Sequence, residues 1–477
     1  MCGILIAYNP SQARINSIAH RGIEFSTHSD ESGLTLCHHR LPIQTAIGDG
    51  WIQPVEISKD KYLLFNGEIF NYPTELYDSD TAYLASLFST CLDFSSLEMF
   101  SALYEPHIKS WDGFWAICLV DMKTKNVICF TDPLGKKCLY YNDLGEICSE
   151  MKGLINSSSF LDQAFMGGVR KWGYVHNEST PFENIQKIKP NYFYQWNFAA
   201  PDFKKLYGPY FSFKPPKFEF NSEDEMLDWV WHKVEAATKN RLLSLDYPIS
   251  ILLSGGLDSS IIGGLLLKLG ADVSWYTINN GPDNDYVREC ENYWGIKVNQ
   301  LEYTMGEDSM DLNELYFKWN ESPIDLGSVV PQYLLFDAIK KGTDTRIVLS
   351  GDGADEMFGG YRRIDEYDSQ GSDVFHELTY YHLPRLDKMS MAHTLELRNP
   401  FLNLELLQMA LNLPMDLRKH KSILKKAFKG LVPDSVIDRK KHPLKNERIV
   451  KDPMEYRIEA IERFKKGYSD FLERGEY

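Results

Sequence analysis

The chain begins Met1-Cys2-Gly3-Ile4. Removal of the initiator before so small a residue makes Cys2 the mature N-terminus, one residue carrying both a thiol and a free α-amine. That amine has an ordinary pKa of about 7.7–8.0, so near neutrality it can act as a base for its own side chain. A thiol activated this way is an acyl-transfer nucleophile, and the reaction then needs a group to hold the oxyanion. The run Phe65-Asn66-Gly67-Glu68-Ile69-Phe70-Asn71-Tyr72 follows an apolar strand. An Asn amide and a Gly N–H at a strand end can form such a hole, whereas the same Asn-Gly pair taken alone reads as a hairpin turn. Arg40 and Asp80 are candidates for the ends of a free amino acid, which needs a cation for its carboxylate and an anion for its amine.

A second set of residues has the chemistry of a phosphate site. Ser254-Gly255-Gly256-Leu257-Asp258-Ser259-Ser260 follows the strand Ser250-Ile251-Leu252-Leu253 and precedes an apolar helix. Glycines let the backbone approach phosphate oxygens, hydroxyls add donors, and the helix start supplies free N–H groups. No Gly-Lys-Ser/Thr closes the loop, so it is not a Walker A motif. It resembles the pyrophosphate loop of the enzymes that split ATP into AMP and pyrophosphate, a resemblance that makes Asp258 a candidate Mg²⁺ ligand through the phosphates. A second turn, Ser350-Gly351-Asp352-Gly353-Ala354-Asp355-Glu356, ends the strand Arg346-Ile347-Val348-Leu349. Ligands collect at the carboxyl ends of parallel strands, so both turns are expected to face one crevice. Asp352 and Asp355 suit Mg²⁺ or an incoming amine. Glu356 reads as a solvated cap residue.

The elements that carry these residues differ in texture. Up to about residue 195 the chain is β-rich, with Tyr62–Phe65, Phe114–Val120 and Val127–Phe130 as strands, a helical pattern over Asp80–Leu97, and a hairpin turn at Lys123–Asn126. Residues 197–220 have turn residues and no steady period, which marks a boundary. From Ser222 onward helices alternate with short apolar strands, including Val273–Ile278, and this pattern implies a parallel sheet. The expected division is a domain over 1–195 and another over 220–477.

Composition narrows the function. The chain has 477 residues and a net charge of −16, which argues against a nucleic-acid surface. None of its eight cysteines forms a CxxC pair. That usage suits a reducing, cytoplasmic setting, with Cys118 and Cys129 as buried hydrophobes. No run approaches the ~18–20 apolar residues of a membrane span, and no leader precedes Cys2. The histidines have no metal-ligand spacing, and His38-His39 reads as strand or loop polarity.

The order of motifs resembles the glutamine-hydrolysing asparagine synthetases. MCGI, His20-Arg21-Gly22, Arg40-Leu41-Pro42-Ile43, Gln53-Pro54, Asn66–Tyr72 and Ser79-Asp80 are similar to class II glutamine amidotransferases. The second half adds the two turns above, Asp387-Lys388-Met389-Ser390-Met391 and Glu396-Leu397-Arg398-Asn399-Pro400-Phe401-Leu402. The resemblance implies a two-domain α+β and α/β fold. Its first domain would be an αββα sandwich of the N-terminal-nucleophile type, its second a parallel-sheet nucleotide-binding domain with added helices. Cys2 would attack glutamine, with Asn66 and Gly67 holding the oxyanion and Arg40, Glu68 and Asp80 orienting the substrate. ATP would lie along Leu253, Ser254, Gly255, Gly256, Asp258, Ser259, Ile278, Ser350 and Gly351, with Mg²⁺ on Asp258 and Asp355. Asp352 would sit at an acyl-adenylate, aspartate being the expected acceptor and another carboxylate the alternative. Lys441, or its neighbour Lys440, would assist adenylation. Lys421 reads more simply as a surface helix lysine. The resemblance also extends to a homodimer.

Three departures bear on the acceptor. Arg21-Gly22-Ile23-Glu24 replaces Arg-Gly-Pro-Asp, Asn403 replaces the Asp after Pro-Phe-Leu, and Asp352 replaces a glutamate. Lactam-forming relatives usually lose the nucleophile, so an intact Cys2, Arg40, Asn66 and Asp80 count against that class.

Overall fold

The computed structural model describes residues 2–48, 51–90, 93–213, 219–244, 247–279, 281, 283–302, 310–324, 326–360, 376–439 and 453–475. Its first part contains β1 (Cys2–Tyr8), β2 (Glu24–Ser29), β3 (Leu34–Arg40), β4 (Val55–Ser58), β5 (Lys61–Ile69), β6 (Gly113–Asp121), β7 (Asn126–Thr131), β8 (Tyr140–Asn142), β9 (Ile147–Cys148), β10 (Ile185–Lys187), β11 (Phe193–Asn197) and β12 (Ala200–Tyr207). These make two antiparallel sheets, ordered β10-β8-β9-β1-β3-β2 and β12-β11-β7-β6-β5-β4.

The period of two along each strand decides what packs where. Ile4 and Ile6 of β1 meet Leu64, Cys118 and Cys129 of the other sheet in a core between the sheets. Leu5 and Ala7 face the opposite way, toward Phe165 and Val169 of the helix Gln163–Trp172 and Phe464 of the helix Pro453–Glu473. Phe65 and Ile117 turn outward onto Leu84 and Phe100 of two further helices. The helical pattern expected over Asp80–Leu97 is in fact split. Ser79 caps Asp80–Phe88 by accepting from the Ala82 N–H, and Ser96 caps Leu97–Lys109 by accepting from the Met99 N–H. The Lys123–Asn126 turn is present, with the Asp121 carboxylate accepting from the N–H groups of Lys123 and Thr124. β12 lies inside the stretch that reads as structureless. It is an edge strand with mostly exposed residues, so no buried face imposed an alternating pattern.

The second part is a fully parallel sheet of β13 (Ile249–Leu252), β14 (Val273–Ile278), β15 (Val298–Leu301), β16 (Ile347–Leu349) and β17 (Glu396–Arg398). Its order, β15-β14-β13-β16-β17, reverses direction between β13 and β16. Both glycine turns leave the sheet there, at the switch point where open parallel sheets bind ligands. β15 and β17 were not foreseen. Each is short, and β17 buries two charges that neutralise one another, with Arg398 Nε 2.5 Å from Glu396 Oε1. Among the described residues no helix is long and apolar enough to cross a membrane, and the seven described cysteines are free and buried.

The His38-His39 pair lies in β3, and both residues are buried. His38 is wholly buried; its Nε2 lies 3.1 Å from the Phe65 carbonyl, and burial drives its pKa down to about 3. His39 is similarly lowered to about 4 by burial. The unfolded chain binds these protons below about pH 6.5 while the folded chain does not, so this stability is lost as pH falls. In urea titrations, His38→Gln is expected to flatten the decline of unfolding free energy between pH 6.5 and 4. By pH 4 the accumulated difference amounts to about 3 kcal/mol. An unchanged decline rules out a neutral buried His38.

Candidate active site

The register of β1 on β3 sets Cys2 opposite Arg40. From the facing sheet Asn66 reaches across, and its Oδ1 accepts the Cys2 backbone N–H at 2.8 Å. Asn66 is wholly buried, and among the described residues its Nδ2 has no partner. The side-chain amide is thus oriented by its oxygen and left with open donors beside the thiol residue. Asn66-Gly67 is neither a hairpin turn nor a strand end. It lies within β5, opposite Ala116 and Trp115 of β6. Gly67 is required there because a Cβ would stand 2.1 Å from the Phe114 carbonyl oxygen.

Arg40 donates to Glu24 Oε2 at 2.9 Å and to the Thr45 hydroxyl. Glu24, one of the departures from the family pattern, therefore holds the arginine it faces across β2 and β3. Glu68 and Asp80 are buried and share the Gln44 side-chain amide, which donates to both. Burial, then the nearby Glu396 and Asp80 carboxylates, push Glu68 well above the usual carboxylate range. Burial raises Asp80 to about 6, against the pull of N–H donors from Ile69 and Thr81.

At the switch point Leu253 is buried and its N–H donates to the Tyr276 carbonyl at 2.8 Å. Ser259 Oγ closes the first turn on itself, accepting from the Ser254 N–H at 3.1 Å and lying 3.0 Å from Ser254 Oγ. Gly351 touches this turn, for a Cβ there would stand 2.6 Å from the Ser259 nitrogen. The two turns are therefore in contact. The Ser350 hydroxyl donates to Asp352 Oδ2 at 2.5 Å and accepts from Asn399 Nδ2 at 2.8 Å. Ile278 ends β14 beside them.

Two residues differ from their sequence reading, and a third had none. Lys421 is no surface lysine: it is buried, with Nζ 2.5 Å from both Asp258 Oδ2 and Asp355 Oδ1. Burial would lower its pKa, yet the two carboxylates drive it above the usual lysine range. Glu356 is buried rather than solvated, with His382 Nε2 3.8 Å away. Arg439, which carried no motif signal of its own, donates to the Gly255 carbonyl at 2.7 Å and to Asp283 at 2.6 Å. Among the described residues no group of three or more His, Cys, Asp or Glu could hold a metal. Lys440 and Lys441 lie outside the described residues.

One buried residue spans the two clusters. Arg398 Nη2 is 3.4 Å from Glu68 Oε2, while its backbone carbonyl accepts the Ser350 N–H at 3.1 Å.

The family model for the glutamine amidotransferase domain matches residues 1–207, and that for asparagine synthase matches residues 230–379 and 370–464. The chain belongs to the glutamine-hydrolysing asparagine synthetase family. Members of this family are glutamine-dependent carbon–nitrogen ligases that use ATP, and this chain is such a ligase. The asparagine synthetase [glutamine-hydrolyzing] of Bos taurus is 26% identical over 96% of this chain and 88% of its own. That of Mus musculus is 26% identical over the same shares, 96% and 88%. A probable asparagine synthetase of Acanthamoeba polyphaga mimivirus is 25% identical over 82% of this chain and 73% of its own. The solved NMN synthetase of Francisella tularensis aligns with a TM-score of only 0.26 at 16% identity, over 53% of this chain and 95% of its own, and carries no argument.

The Asp258–Lys421–Asp355 cluster gives a stability test within this synthetase. Lys421→Met leaves two mostly buried carboxylates side by side without their cation and is expected to destabilise the chain by about 3 kcal/mol. Adding Asp258→Asn and Asp355→Asn to that variant is expected to recover most of the loss in a urea melt. Equal losses in the single and triple variants would show that the three do not act as a unit.

Proposed function

We propose that the chain is a glutamine-dependent asparagine synthetase. It hydrolyses glutamine and transfers the ammonia to an ATP-activated aspartate, giving asparagine, AMP and pyrophosphate. In this reading residues 1–195 form a glutaminase domain of the N-terminal-nucleophile αββα type and residues 220–477 the synthetase domain. The observation that carries it is the Glu68–Arg398–Ser350 connection, which sets the two clusters back to back across one buried seam. Two sites so joined suit a nitrogen released on one side and consumed on the other.

With Met1 removed, the Cys2 amine takes the proton of its own thiol, and the Asn66 Oδ1 contact orients that amine. The thiolate adds to the γ-amide carbon of glutamine. The developing oxyanion lies against Asn66 Nδ2 and the Gly67 N–H. Collapse breaks the C–N bond, the amine returns its proton to the departing nitrogen, and ammonia leaves. Water then cleaves the thioester to glutamate and the free thiol. Glu68 and Asp80 receive the substrate ammonium, the position that the Gln44 amide occupies here, and Arg40 faces its carboxylate.

On the far side of the seam the turn Ser254–Ser260 holds the ATP phosphates. The aspartate β-carboxylate attacks the α-phosphorus and expels pyrophosphate, and ammonia then attacks the acyl-adenylate and expels AMP. Asp352, fixed by Ser350, stands where the incoming amine sheds its proton. Asp258 and Asp355, both paired with Lys421 here, would hold Mg²⁺ once that ammonium turned to the phosphates, since carboxylate and phosphate oxygens are its usual set; the ion would neutralise phosphate charge. Lys441 is the residue we assign to adenylation.

Incubation of the full chain with ATP, glutamine and aspartate is expected to release asparagine and pyrophosphate in equal amounts. A different carboxylate preferred tenfold in kcat/KM would replace aspartate as the acceptor, and release of ADP would refute the adenylate route. Cys2→Ala is expected to abolish glutamine use and keep ammonia-dependent synthesis within twofold. Asp80→Asn should raise the glutamine KM tenfold or more, the size of one charge-assisted hydrogen bond of about 1.5–3 kcal/mol. In the native chain that KM is expected to climb below about pH 6, where Asp80 takes up its proton, and the variant should lack this dependence.

A further inference from the structure

A cavity of about 50 Å³ opens between the two halves of the chain, away from both clusters described above. Tyr140, Tyr174 and Lys187 line one side; Asn320, Arg385 and Lys388 line the other. A water needs about 10–15 Å³ of such space, so the cavity has room for a few heavy atoms.

Two of its polar groups lack the partner their burial demands. Lys187 is only 5% exposed. Its Nζ donates to the Thr379 carbonyl at 2.9 Å and lies 5.1 Å from the Tyr380 ring centroid, yet among the described residues no carboxylate pairs with it. Lys388, on the same wall as Arg385, does have its acid, with Nζ 3.0 Å from Glu321 Oε2. Glu178, on the same segment, accepts from the Tyr380 hydroxyl at 2.8 Å. A buried ammonium without a counter-charge is costly and calls for an anion. Asn320, 2% exposed, donates through Nδ2 to the Ser322 and Ile324 carbonyls at 2.7 and 3.2 Å. Those two bonds fix which way the amide points, and its Oδ1 accepts nothing among the described residues.

We propose that this cavity is a binding site for a small carboxylic acid carrying one neutral hydrogen-bond donor, a hydroxy acid or an amide acid. The carboxylate meets Lys187, the O–H or N–H donates to Asn320 Oδ1, and the short carbon body lies against Tyr140 and Tyr174. A zwitterionic amino acid fits less well, since its ammonium would face Arg385 and Lys388. The ligand bridges the two halves and takes no part in the chemistry at either cluster.

Calorimetric titration of the full chain with glycolate tests this, with acetate and glycine as comparisons. Glycolate is expected to bind saturably and at least fivefold more tightly than either. Saturating glutamine and ATP are expected to leave that binding in place. Lys187→Met should weaken glycolate at least tenfold while the rate of glutamine hydrolysis stays within twofold. Asn320→Asp, nearly isosteric, should weaken it equally and provides the readout if Lys187→Met does not fold. No saturable glycolate binding, native affinity retained in both variants, or displacement by glutamine or ATP would each overturn the proposal.

Discussion

One guanidinium sealed from water ties the molecule together. Arg21 is 1% exposed. Its Nε donates to the Cys2 carbonyl at 3.0 Å, one terminal nitrogen to Glu150 at 2.6 Å, and the other to Asp387 at 2.9 Å. The first strand, the loop before Met151 and a helix almost 370 positions later thus meet on a single planar fork. Burial alone would raise Glu150, but His20, Lys152 and Arg21 hold it well below its ordinary pKa. Asp387 is likewise held low against its own burial by Arg21 and Lys137. A buried charge network adds little net stability, yet losing any one member strands the rest in a dry environment. Its effect is therefore positional: the backbone at Cys2 cannot shift without moving the helix Leu383–Met391.

The same logic extends along the seam. Arg241 grips Asp112 with two bonds of 2.5 and 2.6 Å, and Arg346 donates to the Pro42 carbonyl at 2.5 Å. The Thr394 hydroxyl donates to the His20 carbonyl at 2.7 Å. Apolar packing crosses there as well, where Phe317 and Phe464 join the core behind β1. The halves are held in one arrangement by contacts that are individually directional.

Much of this was legible in the chain, for a reason that differs by element. Strands β5, β6 and β7 are readable because both faces of each are buried, which leaves short, nearly continuous apolar runs. The turn Ser254–Ser260 is readable because few other sequences put glycines and hydroxyls between a strand and a helix. Lys421 was misread because its partners, Asp258 and Asp355, come from two other segments, and nothing adjacent to it marks it as buried. Glu356 failed for the same reason, its neighbour His382 lying in another element. Asn66-Gly67 carries the local signal of a turn, and the close approach of Phe114 overrules that signal by keeping the pair extended within β5.

The inventory is written in the chain: a thiol at position 2, an amide and glycine at 66 and 67, two glycine turns after apolar strands, and the order of motifs that marks the family. Those are local properties, set by residue type and short spacing. Which groups face one another is a matter of folding in three dimensions. That Cys2 lies across from Arg40, that Asn66 turns its oxygen to the Cys2 N–H, and that Arg398 stands between Glu68 and Ser350 follow from strand register and sheet order. Those depend on how distant apolar faces find a common core, and a linear string of residues does not encode that distance by distance.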